Sequence, residues 1–217
     1  MFSNREEAGT LLAKKLTAYK DLKNAVVVAI PRGGVPVGYV IAKELQVPLE
    51  IVLSKKIVHP FHKEYAIGAV TLKNRILSDV AAEVSKVYID DETGEVRDLL
   101  EKRHTWYYGH KTPLKLKDKI VIIVDDGVAT GSTLISSIEL IHEQHPFQII
   151  VALPVAAPSA LEKIEKLPSV SNVICLLTPK NFRAVGQFYK EFDQVSDKEV
   201  IHLFREASNI STIAPEP

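Results

Sequence analysis

A single cysteine in 217 residues leaves Cys175 without a partner in its own chain, so no internal disulfide braces the fold, and a reducing, cytoplasmic setting is expected. The cysteine sits in the apolar run NVICLL, which reads as a buried inert thiol rather than a nucleophile. An excess of either charge is also missing. Lys plus Arg number 27 and Asp plus Glu number 27, so no overall positive field recruits nucleic acid or an acidic membrane, and any anion site has to be local. No apolar run approaches the ~20 residues that span a bilayer. The opening MFSNREEAGTLLAKKL carries acids at Glu6 and Glu7 and lacks the apolar core of a signal segment. It reads as a helix, with Ser3 and Glu6 as a capping box and Ala8, Leu11, Leu12 and Leu16 as its apolar stripe. Neither common nucleotide motif is present: no GxxxxGKS/T occurs, and RGGVPVG misses the GxGxxG spacing. His142 and His145 stand at a metal-binding spacing without a third ligand in view and read as surface residues; His59, His62 and His104 receive no metal role.

What remains is ordinary for a globular chain, with 46% apolar and 25% charged residues, enough to bury a sizeable core. Short β-branched runs alternate with stretches of helical period. AVVVAI (25–30), LEIVLS (49–54), IVIIV (120–124), QIIVALPV (148–155) and NVICLL (172–177) read as buried strands, while AIGAV (66–70) and VYI (87–89) read as short strands pairing at an edge. Helices are expected after Pro36 (Val37, Val40, Ile41, Leu45), from Asp90 to Tyr108 (Val96, Leu99, Leu100, Arg103, Tyr107), around Leu134, Ile135, Ile138 and Ile141, and from Pro158 to Leu167. A last helix is expected behind a second capping box, Ser196 with Glu199. Continuous apolar strands separated by helices imply an α/β fold, a mostly parallel twisted sheet flanked by helices in three layers. One domain is expected over 1–207, followed by a loose tail over 208–217.

The stretch IVIIVDDGVATGSTL (120–134) holds the chemistry: a strand, two acids, then a loop of small hydroxylated residues opening a helix. In an open parallel sheet ligands sit beyond the carboxyl ends of the strands. The backbone N–H groups from Ala129 to Thr133 and the hydroxyls of Thr130, Ser132 and Thr133 can surround a phosphate, aided by the helix dipole. Asp125 and Asp126 beside that phosphate would repel it unless a vicinal diol or a bound Mg²⁺ lies between. That arrangement suits a phosphorylated ribose; the plainer alternative makes both aspartates loop acids capping the next helix. AIPRGGVPVG (29–38) is a second strand-to-helix turn, where Arg32 offers a fixed fork of donors, and Gly33 and Gly34 permit unusual backbone angles and close approach.

VIIVDDGVATGST resembles the 5-phosphoribosyl 1-pyrophosphate (PRPP) signature of type I phosphoribosyltransferases, an apolar strand, two acids, a few small residues and T-G-x-S/T. The wider chain is similar to a less characterised branch of that family through REEAG (5–9), PRGGVPVG, EYAIGAV (64–70), DDGVATGST and FYKEFDQVSDKEV (188–200), of which the later motifs speak to membership more than to chemistry. The resemblance implies the family fold with a small hood or lid. It implies that Asp125 and Asp126 hold the ribose hydroxyls, and the metal directly or through water. Ala129, Thr130, Gly131, Ser132 and Thr133 are then the 5′-phosphate loop, and Arg32, Gly33 and Gly34 the pyrophosphate loop. Asp125, Asp126 and Arg32 become the catalytic set, with Mg²⁺ as cofactor, PRPP and a small-molecule acceptor as ligands, and a homodimer as the assembly.

SKKIVHPFHKEY (54–65) follows a strand end; either Lys55 and Lys56 reach the pyrophosphate and the rest closes as a lid, or the segment is a solvated basic loop. Tyr107, Tyr108, His110 and Lys111 fall where a mobile loop or hood is expected. Purine-type members carry an acid where Ala129 stands, which disfavours a 6-oxopurine acceptor. TPKNFRAVGQFYKEF (178–192), with Arg183 and Lys190, forms either part of the acceptor pocket or a packed hood. The leading expectation is a Mg²⁺-dependent transfer of 5-phosphoribosyl with release of pyrophosphate. The alternatives are a PRPP- or nucleotide-sensing regulator without turnover, and PRPP hydrolysis or nucleotide phosphorolysis on the same scaffold.

Overall fold

A computed structural model describes residues 1–62, 65–72, 74–109 and 111–210, with side chains through Ser208. Lys63, Glu64 of the EYAIGAV motif, Lys73, His110 and residues 211–217 lie outside the described residues.

The first helix, α1 (Arg5–Lys15), begins one residue later than its expected cap. Asn4 is the N-cap and accepts from the Glu7 N–H, while the Glu7 carboxylate accepts from the Ser3 N–H, so the reciprocal pairing is shifted by one from Ser3 and Glu6. Ala8, Gly9, Leu12 and Ala13 form its buried side; Leu16 is buried just beyond it, and Leu11 faces out. Strand β1 (Ala25–Ala29) follows, buried at every position. Helix α2 (Gly34–Leu45) carries Pro36 in its first turn, where a missing N–H costs nothing, and ends at Gln46 in the left-handed region. Strand β2 (Leu49–Ile51) ends three residues before the expected 54.

The chain next differs from expectation. SKKIVHPFHKEY contributes β3 (Lys55–Val58), which pairs antiparallel with β4 (Ala66–Val70), and β5 (Arg75–Leu77) completes a separate three-stranded sheet. VYI (87–89) is no edge strand; it is the start of α3 (Lys86–Tyr108), where Ile89, Thr93, Val96, Leu100 and Tyr107 recur at helical spacing on the buried side. Tyr107 and Tyr108 end that helix as core residues, not as a mobile loop.

The remaining elements are β6 (Ile120–Val124), α4 (Ser132–His142), β7 (Gln148–Val155), α5 (Pro158–Glu165), β8 (Asn172–Leu177) and α6 (Asp197–Ile210). α5 has proline at its first position. α6 is capped by Ser196 Oγ accepting from the Glu199 N–H, and its helical course takes in 208–210.

The main sheet runs β2-β1-β6-β7-β8 with every neighbouring pair parallel. Alternate residues of its central strands serve opposite faces. Ala25, Val27, Ala29, Ile120, Ile122 and Val124 pack with α1, α2, α3 and α6; Val26, Val28, Val121, Ile123, Ile149 and Val151 pack with α4 and α5. This is the expected three-layer α/β architecture, with buried parallel strands β-branched at both faces. Connections from β1 step outward to β2, whereas β6, β7 and β8 proceed the other way, so the strand order reverses between β1 and β6. Crevices open at such a reversal, beyond the carboxyl ends of the strands.

Candidate active site

Ala29 and Val124 are register partners at the ends of β1 and β6, so the turns that follow face each other across the reversal. Ile30 N–H donates to Val124 O at 2.9 Å, which ties the two turns before they diverge. The Pro31–Arg32 peptide bond is cis. Gly33 and Gly34 have ordinary right-handed or helical backbone, so their use is not an unusual angle. Their use is space. A Cβ on Gly33 would lie 2.0 Å from Asp126 Oδ2, and one on Gly34 would lie 2.8 Å from Val124 O and 2.9 Å from Asp125 Cα. The two predicted motifs are thus packed against each other, with glycine as the residue that lets them meet. Gly34 N–H is already given to Ile30 O at 3.0 Å, leaving the amides of Arg32 and Gly33 as the donors of this turn.

Asp126 Oδ2 accepts from Arg5 Nε at 2.8 Å and forms an ion pair with Arg5 Nη2, also at 2.8 Å. Arg5 Nη1 donates to Asp193 O at 2.9 Å, and its guanidinium lies 3.9 Å from the centre of the Phe192 ring. Asp126 N–H donates to Asp125 Oδ1, and Tyr189 OH donates to Asp126 O at 2.7 Å. Burial raises the pKa of Asp125 well above the carboxylate range, and the neighbouring charge of Asp126 raises it further. Asp126 is also raised by burial, against the lowering effect of the Arg5 cation. Arg32 Nη1 contacts Asp197 Oδ2 at 3.4 Å, and Tyr107 OH donates to the same carboxylate. Gly127 passes close beneath the short turn Val185–Phe188; a Cβ there would lie 2.5 Å from Val185 Cγ1.

These groups enclose a cleft of about 500 Å³ lined by Arg5, Arg32, Gly33, Asp126, Val185, Phe192, Asp193, Gln194 and Val195. Beside it, Gly131 in the left-handed region starts α4, and Ala129, Thr130 and Thr133 are exposed, with Ser132 half-buried. No amide from Ala129 to Leu134 meets a protein acceptor among the described residues, and the hydroxyls of Thr130 and Ser132 stand 3.4 Å apart. Unpaired N–H groups at the positive end of a helix suit an anion.

The structure therefore brings Arg32, Gly33, Asp125 and Asp126 together, with the 129–133 loop continuing from them. Lys55 and Lys56 sit on β3 and do not line the cleft; Arg183 and Lys190 do not line it either. Lys111 lines a different cavity of about 700 Å³, together with Glu50, His104 and Tyr108. Sequence reasoning gave no site role to Arg5, Asp197 or the lining residues Asp193–Val195; Tyr107 was expected in a loop or hood, and Phe192 within the 178–192 segment read as acceptor pocket or hood. The available signal was the pair of segments REEAG and FYKEFDQVSDKEV, which supply Arg5, Tyr189, Phe192, Asp193, Gln194, Val195 and Asp197.

Residues 3–191 match the family model of the phosphoribosyl transferase domain, and the chain belongs to that family. It is 33% identical over 230 residues to the Mycobacterium tuberculosis (strain H37Rv) protein named "Putative phosphoribosyl transferase Rv0571c", a match covering 100% of this chain and 51% of the relative. The chain thus spans about half the length of the curated relatives it matches. A shorter match, 43% identical over 60 residues, covers 28% of the chain and 29% of the uracil phosphoribosyltransferase of Mycoplasma genitalium. Among solved structures, TT1426 from Thermus thermophilus is similar with a TM-score of 0.85 and 34% identity, covering 94% of this chain and 98% of that one.

Proposed function

We propose that the protein transfers the 5-phosphoribosyl group of PRPP to a small-molecule acceptor and releases pyrophosphate. The observation that carries this is the contact between the two motifs, in which Gly33 leaves no room for a Cβ beneath Asp126 Oδ2. A pyrophosphate seat and a ribose seat packed this closely suit one ligand bearing both groups. The family match over 3–191 supports the same reading, as does the shared stretch with a uracil phosphoribosyltransferase.

Asp125 and Asp126 would accept the ribose hydroxyls, since a carboxylate takes two hydrogen bonds from a vicinal diol. The 129–133 loop and the start of α4 would hold the 5′-phosphate by amides that lack protein acceptors. Arg32 and the amides of Arg32 and Gly33 would hold the pyrophosphate. As the C1–oxygen bond breaks, negative charge grows on that leaving group and positive charge on the sugar ring. Donors already aimed at the leaving group favour this state over the bound ground state. The acceptor attacks C1 from the side opposite the pyrophosphate, in a cleft whose apolar residues Val185, Phe192 and Val195 limit water.

Mg²⁺ fits the donor set. Asp125 and Asp126 are adjacent and supply carboxylate oxygens, the ligand type a hard cation takes alongside phosphate oxygens. Asp125 and Asp126 would hold it, directly or through water, and it would supply neutralisation of the pyrophosphate charge. Ala129 offers no acid to a purine nitrogen, so a 6-oxopurine is the disfavoured acceptor. Lys55 and Lys56 take no part in this scheme.

Calorimetric titration of PRPP with and without Mg²⁺, with ribose 5-phosphate as the control, tests the reading. Tight Mg²⁺-dependent binding of PRPP, followed by acceptor-dependent pyrophosphate release, is the expected result. Binding without release for any acceptor would favour a PRPP-sensing regulator, and release without an acceptor would favour hydrolysis. No binding of either ligand would sink the proposal.

A further inference from the structure

Arg5 has no part in the transfer chemistry as described, yet it is the most fully held cation of the cleft. It arrives from the start of α1, 121 residues in sequence from Asp126 and 188 from Asp193. Its side chain is 12% exposed; Nε donates to Asp126 Oδ2, Nη1 donates to Asp193 O, and Nη2 stands in ion-pair contact with Asp126 Oδ2 at 2.8 Å, so three of its N–H groups are occupied. A guanidinium carries five N–H donors and no acceptor. Two donors of Arg5 therefore have no partner among the described residues, on a side chain that lines the cleft. The Phe192 ring at 3.9 Å fixes the guanidinium plane. Val185 and Val195 add apolar surface to the lining, and Gln194 and Asp193 add polar groups.

We infer that Arg5 is a specificity-determining residue, which selects acceptors by donating its two free N–H groups to a neutral carbonyl oxygen on a small ring. The inference rests on the phosphoribosyl-transfer reading, because it takes Asp126 as the holder of the ribose. A sugar anchored on Asp126 places C1 within about one ring's width of the group that pairs with Asp126, and the acceptor must stand at C1 to attack it. Arg5 donates and cannot accept, so ring amino groups find no match there and ring oxygens do. Charge decides between the two kinds of oxygen. Arg5 is already offset by Asp126, Arg32 is assigned to the pyrophosphate, and Asp193 adds a second acid to the lining, so a carboxylate on the acceptor meets a cation whose charge is already matched. A neutral carbonyl meets the donors and needs no unmatched charge.

The test is calorimetric titration of uracil, 2,4-diaminopyrimidine and orotate into the full chain, with and without ribose 5-phosphate. The diamino ring keeps the size of uracil and replaces both oxygens with donors; orotate adds a carboxylate. Uracil should bind at least about tenfold more tightly than either, because a site built of donors rejects a ring that offers donors. Arg5→Gln should erase that preference. Arg5→Lys keeps a cation beside Asp126 but loses the planar fork, so it should erase the preference as well, with thermal melting showing that the variant is folded. Equal binding of the diamino ring, tighter binding of orotate, unchanged uracil affinity in both variants, or binding of no ring would each overturn the inference. Titration of PRPP into the unaltered protein separates the two claims. Loss of PRPP binding with the ring preference intact would remove the transfer reading and leave Arg5 as a ring-recognition residue.

Discussion

Two carboxylates flank β1, Glu50 on its β2 side and Asp126 on its β6 side, and both are withdrawn from water. Burial raises the pKa of each, yet they are satisfied in opposite ways. Glu50 accepts from Tyr108 OH at 2.6 Å and from the Leu114 N–H at 3.2 Å, and Tyr108 OH also bonds the backbone of Ile51. Those donors are neutral, a buried tyrosine hydroxyl and a backbone amide beside the second cavity, so Glu50 pins the chain after α3 onto β2. Asp126 is satisfied by a cation on a side chain that lines an open cleft, with a glycine pressed against its oxygen. The first arrangement is a fastener; the second leaves a carboxylate whose partner a ligand can share. Burial and a raised pKa are common to both, and only the nature and mobility of the donors tells them apart.

The comparison breaks most visibly at Gly33. Gly33→Ala places a methyl 2.0 Å from Asp126 Oδ2, which must move; since a displacement of about 1 Å can cost about 100-fold in rate, PRPP-dependent pyrophosphate release should fall by at least that factor. A change of less than about threefold would show that the two motifs need not touch. Asp126→Asn should weaken PRPP binding by about tenfold or more, the worth of roughly 1.5–3 kcal/mol for hydrogen bonds to a charged group, while the fold persists. Unchanged affinity in the titration would remove Asp126 from the ribose. On the other side of β1 the readout reverses. Tyr108→Phe should cost about 1–3 kcal/mol in denaturant unfolding by leaving Glu50 and Ile51 short of a partner, with PRPP affinity unaltered.

The smallest effect is in pH. Burial raises the folded-state pKa of Glu50 above its ordinary 4.5, so in the window just above 4.5 the folded protein holds more protons than the unfolded chain. Stability contributed by Glu50 is then present below the ordinary pKa and declines as pH rises through the folded value. Glu50→Gln should remove this decline, read as a difference between the two melting-temperature profiles from pH 4 to 7. Parallel profiles would show that Tyr108 and Leu114 fully offset the burial.

Much of this architecture is legible in the sequence. The strands IVIIV and QIIVALPV appear as expected, because a parallel sheet buried on both faces demands continuous β-branched runs, and NVICLL appears too, half-buried at the sheet edge. VYI fails because three β-branched or aromatic residues have no period of their own, and the helix around them decides. KKIV fails in the other direction. Its half-exposed lysines look like a loop, and only pairing with β4 makes a strand of it. Within the site, Asp125, Asp126 and Arg32–Gly34 were visible because each motif is local. The reason for the glycines was not, since it lies in contact between motifs rather than in backbone angle. REEAG marked Arg5 only as a motif residue, because its contact with Asp126 is one that no spacing encodes.

The first residues of the chain are stitched to its distant end. Phe2 N–H donates to Phe188 O, Lys190 N–H to Phe2 O and Glu191 N–H to Ser3 O, with Arg5 reaching Asp193 just beyond. The order of synthesis follows from this seam. As the chain leaves the ribosome, both strand-to-helix turns and both aspartates emerge while Arg5 still lacks Phe192 and Asp193. The cleft wall closes only after residue 195 is free, so a nascent or prematurely terminated chain carries the two strand-to-helix turns without the wall that faces them.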